Sequence, residues 1–427
     1  MTVNSHLPEI EAAVDQLLAE QRHNDALANI LVGVHNHYKS PAAQNQLYYP
    51  VFDRQMTALA AALEAACGLE SATPAPLTDN TLIVASELYQ VGGHSRVIED
   101  CVRELKSVTL VLTDVFSSYR KQPAHLNWVM DTYENISLIV LPQLSVWAKC
   151  KALRLLTQRL NPRSILYFNH HQDPIGLVGT MQHPGSRKAF IHHADHNPSL
   201  GCTLPGMVHA DFTDELPAIC SRELHTHAPV LPLYAPDAGR KTFSPVEPDA
   251  YSVVTSGTQI KFTRDGEFAL HLIVATVLQA TRGQFIHIGP LADDWLIEIR
   301  GHLETQGIDP LRFVPLGSVP SLWQTLLTID AHVYLGSAPV GGGRAAIEAQ
   351  GCGYPLVFFR IGDRQALTAI DSVYATPSSN WSSLQELQQL LSRMGSRLEQ
   401  LGDEARAFYE QRFSHARFVQ VLNELVN

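Results

Sequence analysis

The chain has 427 residues, enough for two or three domains and well beyond a single hydrophobic core. Apolar residues make up 45% and charged residues 17%, the balance of an ordinary globular protein, and a formal charge of −11 argues against a general nucleic-acid binder. No run is long and apolar enough to span a bilayer, and the opening MTVNSHLPEIEAAVDQ lacks the basic and apolar regions of a signal peptide, so a cytoplasmic protein is expected.

From Leu7 to about Gly68 the apolar residues of EIEAAVDQLLAEQRHNDALANILVGVHNHY and MTALAAALEAACG recur at helical spacing. This stretch precedes any α/β pattern and is expected to form a helical extension over 1–78, packed on the next domain. Support, dimerisation into a homo-oligomer and acceptor recognition are all open roles for it. SATPAPLTDN then has the composition of a linker.

The texture changes at Thr81. TLIVAS predicts a short buried strand, ELYQVGGHSR a loop with Gly92 and Gly93, HSRVIEDCVRELK a helix, and SVTLVLTDVF the next strand. The two glycines stand where the strand feeds the helix and let backbone N–H groups approach an anion. ISLIVLP, SILYF and KAFIHH predict further strands, with SVWAKCKALRLLTQRL a helix between the first two. MVHADF and AICSR read as two more short strands, and LPLYAPDAGRKTFSPVEPDA as a proline-rich crossover.

Histidines gather after the predicted strands SILYF and KAFIHH, in Asn169-His170-His171-Gln172-Asp173 and in His192-His193-Ala194-Asp195-His196-Asn197. Open α/β sheets bind ligands beyond the carboxyl ends of their strands. Imidazole titrates near neutral pH, so His193 or His196 is the candidate base, with Asp195 orienting it, and His94 is a third candidate. A metal is not expected. Adjacent residues at a strand end point in opposite directions, which suits a shared ligand set poorly. The six cysteines, Cys67, Cys101, Cys150, Cys202, Cys220 and Cys352, are scattered without a CxxC pair and are expected to be reduced and mostly buried.

A second α/β series begins at Tyr251. YSVVTS, GQFIHIG, RFVPLG and AHVYLG predict strands, alternating with helices FALHLIVATVLQA, WLIEIRGHLETQG and VPSLWQTLLT. Gly341, Gly342 and Gly343 follow the last of these strands, and a helical pattern runs from Arg344 to Gln350. Gly351 and Gly353 close it, and Pro355 opens the apolar run Leu356 to Phe359. A glycine loop feeding a helix N-terminus is suited to a diphosphate. Glu348 lies four residues past Arg344, on the same helix face, where a carboxylate can accept from sugar or ribose hydroxyls. SLQELQQLLSRMGSRLEQLGDEARAFYEQRF and HARFVQVLNELV are amphipathic helices that end the chain.

Ile347-Glu348-Ala349 followed by Gly351-Cys352-Gly353-Tyr354-Pro355-Leu356-Val357, behind its glycine loop, resembles the donor-site block of GT-B glycosyltransferases. The likeness is to the large retaining family whose motif pairs two glutamates eight positions apart. Here the earlier position is Val340, so only the nucleotide-side role of Glu348 carries over. Gly92 and Gly93, with Arg96 and Val97 behind them, resemble the first loop of the same family. Where that family has a Gly-Arg-Leu-x-x-x-Lys loop, this chain reads Gly257-Thr258-Gln259-Ile260-Lys261, without the arginine and with the lysine displaced.

The resemblance covers Thr81 to the end. It implies an α/β GT-B fold, with two doubly wound Rossmann-like domains facing a central cleft. The acceptor-side domain is expected over 79–240, the donor-side domain over 241–412, and a terminal helix over 413–427 that crosses back to the first. The implied activity is metal-independent transfer of a sugar from a nucleotide-sugar donor of UDP type, with no bound cofactor. The acceptor, whether protein, glycan or small molecule, is left open. Implied donor-binding residues are Gly92, Gly93, Gly257, Lys261, Gly341, Gly342, Gly343, Arg344 and Glu348, with Thr255 and Ser256 beside them. Val340 and the missing arginine also keep open a degenerate, non-catalytic module, and a sugar-nucleotide epimerase shares the fold. SELYQVGGHSR lacks the GxGxxG spacing of a dinucleotide-dependent oxidoreductase.

Overall fold

A computed structural model of the chain describes residues 7–38, 43, 46–69, 76–89, 93–119, 131–132, 134–192, 198–212, 215–224, 227–360 and 378–427. They divide into two units. The described residues up to Leu231, together with Val419–Asn427, form the first, and those within Pro232–Phe418 form the second.

Six parallel strands make the sheet of the first unit: β1 (Thr78–Ala85), β2 (Val108–Leu112), β3 (Ile136–Val140), β4 (Pro162–Phe168), β5 (Arg187–His192) and β6 (Val208–Asp211). Their order is β3-β2-β1-β4-β5-β6. Leu82 to Ala85 and all of β2 are buried, as strands covered on both faces must be. The crossover helices include α4 (Gly93–Glu104), α5 (Val146–Leu160) and α6 (Ile175–Thr180). The N-terminal helices precede this sheet in sequence and share a core with it. They are α1 (Leu7–Ala19), α2 (His23–Tyr38) and α3 (Pro50–Cys67). Proline at its first position and Gly68 in the left-handed conformation (φ 66°) after its last turn set the bounds of α3. Its Phe52, Met56, Leu59 and Leu63 belong to the same buried cluster as Leu82, Leu153, Tyr167 and Val178.

The segment around AICSR is a correction to the expected strands. Residues Glu215–Leu224 form a helix, α7, after β6. Five residues are too few to separate a period of 2 from one of 3.6.

The second unit repeats the topology. β7 (Val253–Ser256), β8 (Phe285–Ile288), β9 (Phe313–Gly317), β10 (Val333–Leu335), β11 (Leu356–Phe359) and β12 (Ser378–Trp381) lie parallel in the order β12-β11-β10-β7-β8-β9. Renumbered within its own unit, each sheet reads 3-2-1-4-5-6, the doubly wound order. Alternation along the strands splits the core. Val253, Phe285 and Leu335 face α8 (Leu270–Ala280) and α12 (Leu384–Met394), while Val254, Ile286, Tyr334 and Leu356 face α10 (Leu322–Thr328) and α11 (Gly343–Cys352). Helices α10 and α11 touch closely: a Cβ added at Gly351 would stand 1.9 Å from the ring of Trp323. Helix α9 (Asp293–Thr305) lies between β8 and β9, and α13 (Leu398–Arg412) and α14 (His415–Val426) end the chain. From Val419 onward α14 belongs to the first unit, where Arg187 donates to the carbonyls of Glu424 (2.8 Å) and Leu425 (3.1 Å). All six cysteines are free thiols, and all but Cys67 are buried.

Candidate functional site

In the second unit the strand order reverses between β7 and β10, and the loops leaving their carboxyl ends meet there. Gly257, just past β7, donates to the carbonyl of Ile288 at 2.9 Å. The next loop crosses so closely that a Cβ on Gly289 (φ 130°) would stand 2.2 Å from the Gly257 carbonyl oxygen. Only glycine fits that crossing. Residues Gln259–Lys261 make one 3₁₀ turn, after which Phe262 bridges antiparallel to Pro339, and Val340 N–H donates to the Lys261 carbonyl at 3.3 Å. The Gly257 loop and the triple-glycine loop are thus zipped together by backbone.

Lys261 is held at their junction. Its Nζ donates to the Gly341 carbonyl at 2.6 Å and stands 3.6 Å from where a Cβ on Gly342 would lie. Burial lowers its pKa. Ser337, which the sequence did not single out, donates to the Val340 carbonyl at 2.7 Å and fixes the loop from below. Gly342 is the N-cap of α11 and supplies no side-chain cap. The first N–H groups of a helix have no intrahelical partner, so this end presents backbone donors and a positive dipole end beside the lysine. None of Gly341, Gly342 and Gly343 adopts a positive φ. Their use is an open backbone rather than a special turn.

Arg344 and Glu348 sit on one face of α11, with Nε and Oε1 3.6 Å apart. The other carboxylate oxygen accepts the Trp323 N–H at 3.0 Å, near the start of α10. Glu348 therefore joins two helices in addition to any role toward a ligand. The structure brings Gly257, Lys261, Gly341, Gly342, Gly343 and Arg344 to one place, with Glu348 one turn further into α11. A separate concavity of about 680 Å³ is lined by Arg240, Lys241, Phe243, His332 and Glu399. His332 and Pro355 place it at the amino ends of β10 and β11, away from the strand ends where α/β sheets carry ligands.

The corresponding switch point of the first unit lies between β1 and β4. Gly93 opens α4, and His94 behind it sends Nε2 to the Phe168 carbonyl at 3.0 Å, at the end of β4. Burial pushes the His94 imidazole down to about 4, with that carbonyl opposing, so the ring is neutral at physiological pH. Below it lies a fully buried Asp173, which accepts from Ser86 Oγ (2.6 Å), the Ile175 N–H (2.9 Å) and Thr113 Oγ1. This network locks the loops after β1, β2 and β4 together and was not legible in the sequence, because its members are far apart in the chain. Arg96 pairs with Glu99 at 2.6 Å. Gly92, His193, Asp195 and His196 lie outside the described residues. His192, the residue before them, turns inward to His209 and Asp211.

No protein-family model and no curated protein matches the sequence. Solved structures do match. The Anabaena Alr3699/HepE complex with UDP and glucose aligns at 14% identity and TM-score 0.56, over 81% of this chain and 98% of that one. A glycosyltransferase from Rickettsia africae aligns at 11% identity and TM-score 0.59, over 82% and 99%. A mutant O-GlcNAc transferase of Thermobaculum terrenum aligns at 14% identity and TM-score 0.51, over 99% of this chain and 84% of that one. At such identities the likeness is one of fold. The chain has the two-domain α/β fold of GT-B glycosyltransferases.

Proposed function

We propose that the chain is a glycosyltransferase that takes a nucleotide-activated sugar and holds its diphosphate at the loops of the second unit. One observation carries this reading: Lys261 Nζ, the triple-glycine loop and the start of α11, where Gly342 offers no side-chain cap, converge at the switch point of a doubly wound sheet. Loss of a nucleoside diphosphate leaves negative charge on its oxygens. Preorganised N–H donors and an ammonium aimed there stabilise that charge without reorganisation. Lys261 would exchange the Gly341 carbonyl for a phosphate oxygen, and Arg344 supplies the second positive charge in place of the absent loop arginine. Leaving-group stabilisation by these groups is the metal-independent route. The likeness to a fold whose solved examples include UDP complexes supports a UDP-type donor. Glu348 is assigned to the nucleotide side, and His193 or His196, with Asp195, is assigned to the acceptor proton; His94, whose Nε2 is bound to the Phe168 carbonyl and whose buried ring resists protonation, is not a base.

The test is a titration of the full chain with a panel of nucleotide sugars, read by calorimetry and by donor hydrolysis. Saturable binding of at least one donor is expected. Lys261→Ala should then weaken it by about 10–150-fold, the equivalent of the 1.5–3 kcal/mol typical of a charge-assisted hydrogen bond. Folded wild-type protein that binds none of the donors would refute the assignment.

A further inference from the structure

Four side chains of the first unit converge at the carboxyl ends of β5 and β6. His192 ends β5 and lies beside Asp211 in the register of β5 and β6. His209 is two residues before Asp211 and so shares its face of the sheet. Cys220 is delivered by α7, the helix that follows β6. Each residue offers one ligand atom, and the four atoms all lie within 4.8 Å of one another. Asp211 Oδ1 stands 3.2 Å from His192 Nδ1 and 3.1 Å from His209 Nε2.

All four residues are buried, with no more than 3% exposure at any of them. Among the described residues, His192 Nε2, His209 Nδ1 and Asp211 Oδ2 have no hydrogen-bond partner. Two imidazoles, a carboxylate and a thiol brought together in a dry site are costly unless something compensates them. A divalent ion does so. Its two positive charges cancel one thiolate and one carboxylate, and both imidazoles stay neutral. The spacing also suits it: tetrahedral arms of about 2.0–2.3 Å place ligand atoms roughly 3.3–3.8 Å apart, reachable from the observed separations by small side-chain rotations. A thiolate with two imidazoles favours zinc over the harder ions. Tyr48 OH donates to Cys220 Sγ at 3.3 Å, the outer contact expected of a ligating sulfur.

We propose that His192, His209, Asp211 and Cys220 form a structural zinc site that pins α7 to the edge of the first sheet. Four protein ligands close the coordination sphere, so the ion holds structure and takes no substrate. The site is independent of the donor reading. Only His192 comes from the histidine-rich segment whose adjacent residues argue against a metal. The remaining ligands come from β6 and α7.

The test begins with the untagged full chain, purified without added metal, and its zinc content by elemental analysis. One zinc per chain is expected. After chelation, Co²⁺ should give the visible bands of a tetrahedral ion and a thiolate-to-cobalt charge-transfer band in the near ultraviolet. Cys220→Ser should abolish the charge-transfer band. Zinc should raise the thermal midpoint of the chelated wild type, and the rise should be absent in Asp211→Asn. Wild-type protein that retains no zinc, and gains neither cobalt bands nor thermal stability when Co²⁺ or Zn²⁺ is added, overturns the proposal. A charge-transfer band that survives Cys220→Ser overturns the ligand assignment.

Discussion

His287 is the third residue of β8 and has no exposed surface. Its ring packs against Phe262, 5.4 Å between centroids. Burial pushes the imidazole from its ordinary value near 6.5 down to about 4, with a backbone hydrogen bond at Gly289 opposing. Between those two values the unfolded chain binds a proton that the native strand refuses. Stability attributable to His287 is therefore intact above pH 6.5, falls as pH drops toward 4, and levels off below. His94 and His183, also pushed down to about 4 by burial, act in the same sense. Asp53 acts oppositely, because burial raises its carboxyl to about 6. A comparison of His287→Leu with the wild type removes those shared contributions. The loss of denaturation midpoint between pH 7 and pH 4.5 should be smaller in the variant, by up to about 3 kcal/mol in stability. Equal losses in the two proteins would show that His287 is not held neutral. No periodicity argument reaches this residue, since GQFIHIG reads equally well with either of its faces inward.

Helix α11 shows why some elements were legible and others were not. Its glycine loop, the stop at Gly353 (φ 84°) and the apolar run of β11 are local signals, each with its own stereochemical cause. Strand β12 has no such signal. Ser378–Trp381 is polar, and only pairing with β11 and burial of Trp381 make it a strand. The four-residue cluster on β5, β6 and α7 is legible only as the pair His209 and Asp211, two apart on one strand. The glycine N-cap of α11 carries its own prediction. Gly342 has extended backbone (φ −132°, ψ 97°), and a Cβ there meets nothing nearer than 3.6 Å. An aspartate fits and caps the helix with its own carboxylate, which adds a few tenths of a kcal/mol from capping and about 0.3–1 from the dipole. The same carboxylate occupies the place proposed for the donor diphosphate and repels it. Gly342→Asp should raise the thermal midpoint slightly and abolish binding of the proposed nucleotide-sugar donor. Unaltered binding in calorimetry would move the diphosphate away from this helix end.

At the scale of the whole molecule the two series of α/β elements were readable because both sheets are parallel and buried on both faces. Each strand is then an apolar run, and each crossover a helix of opposite texture. What the pattern left open was how closely the N-terminal helices join the sheet. They read as an extension packed on the next domain, and their apolar stripe is continuous with the core of the first sheet. Polar ties reinforce the join: Asp53 on α3 accepts from the Gly201 N–H (2.7 Å), the Thr203 N–H (2.8 Å) and Thr203 Oγ1 (2.6 Å), and Glu64 pairs with Arg154 of α5. An appended domain and an integral layer respond differently to a cavity. Leu59 is fully buried in that shared core, whereas Val32 on α2 is 54% exposed. Leu59→Ala should cost the first unit about 2–5 kcal/mol. Val32→Ala should stay within about 0.5 kcal/mol of wild type. Denaturant unfolding followed by native-state hydrogen exchange in β1 and β4 separates the cases. If the helices are an integral layer, Leu59→Ala lowers protection in those strands in step with global stability. If protection in β1 and β4 is unmoved while α3 alone opens, the helices fold apart from the sheet and the integral-layer reading fails.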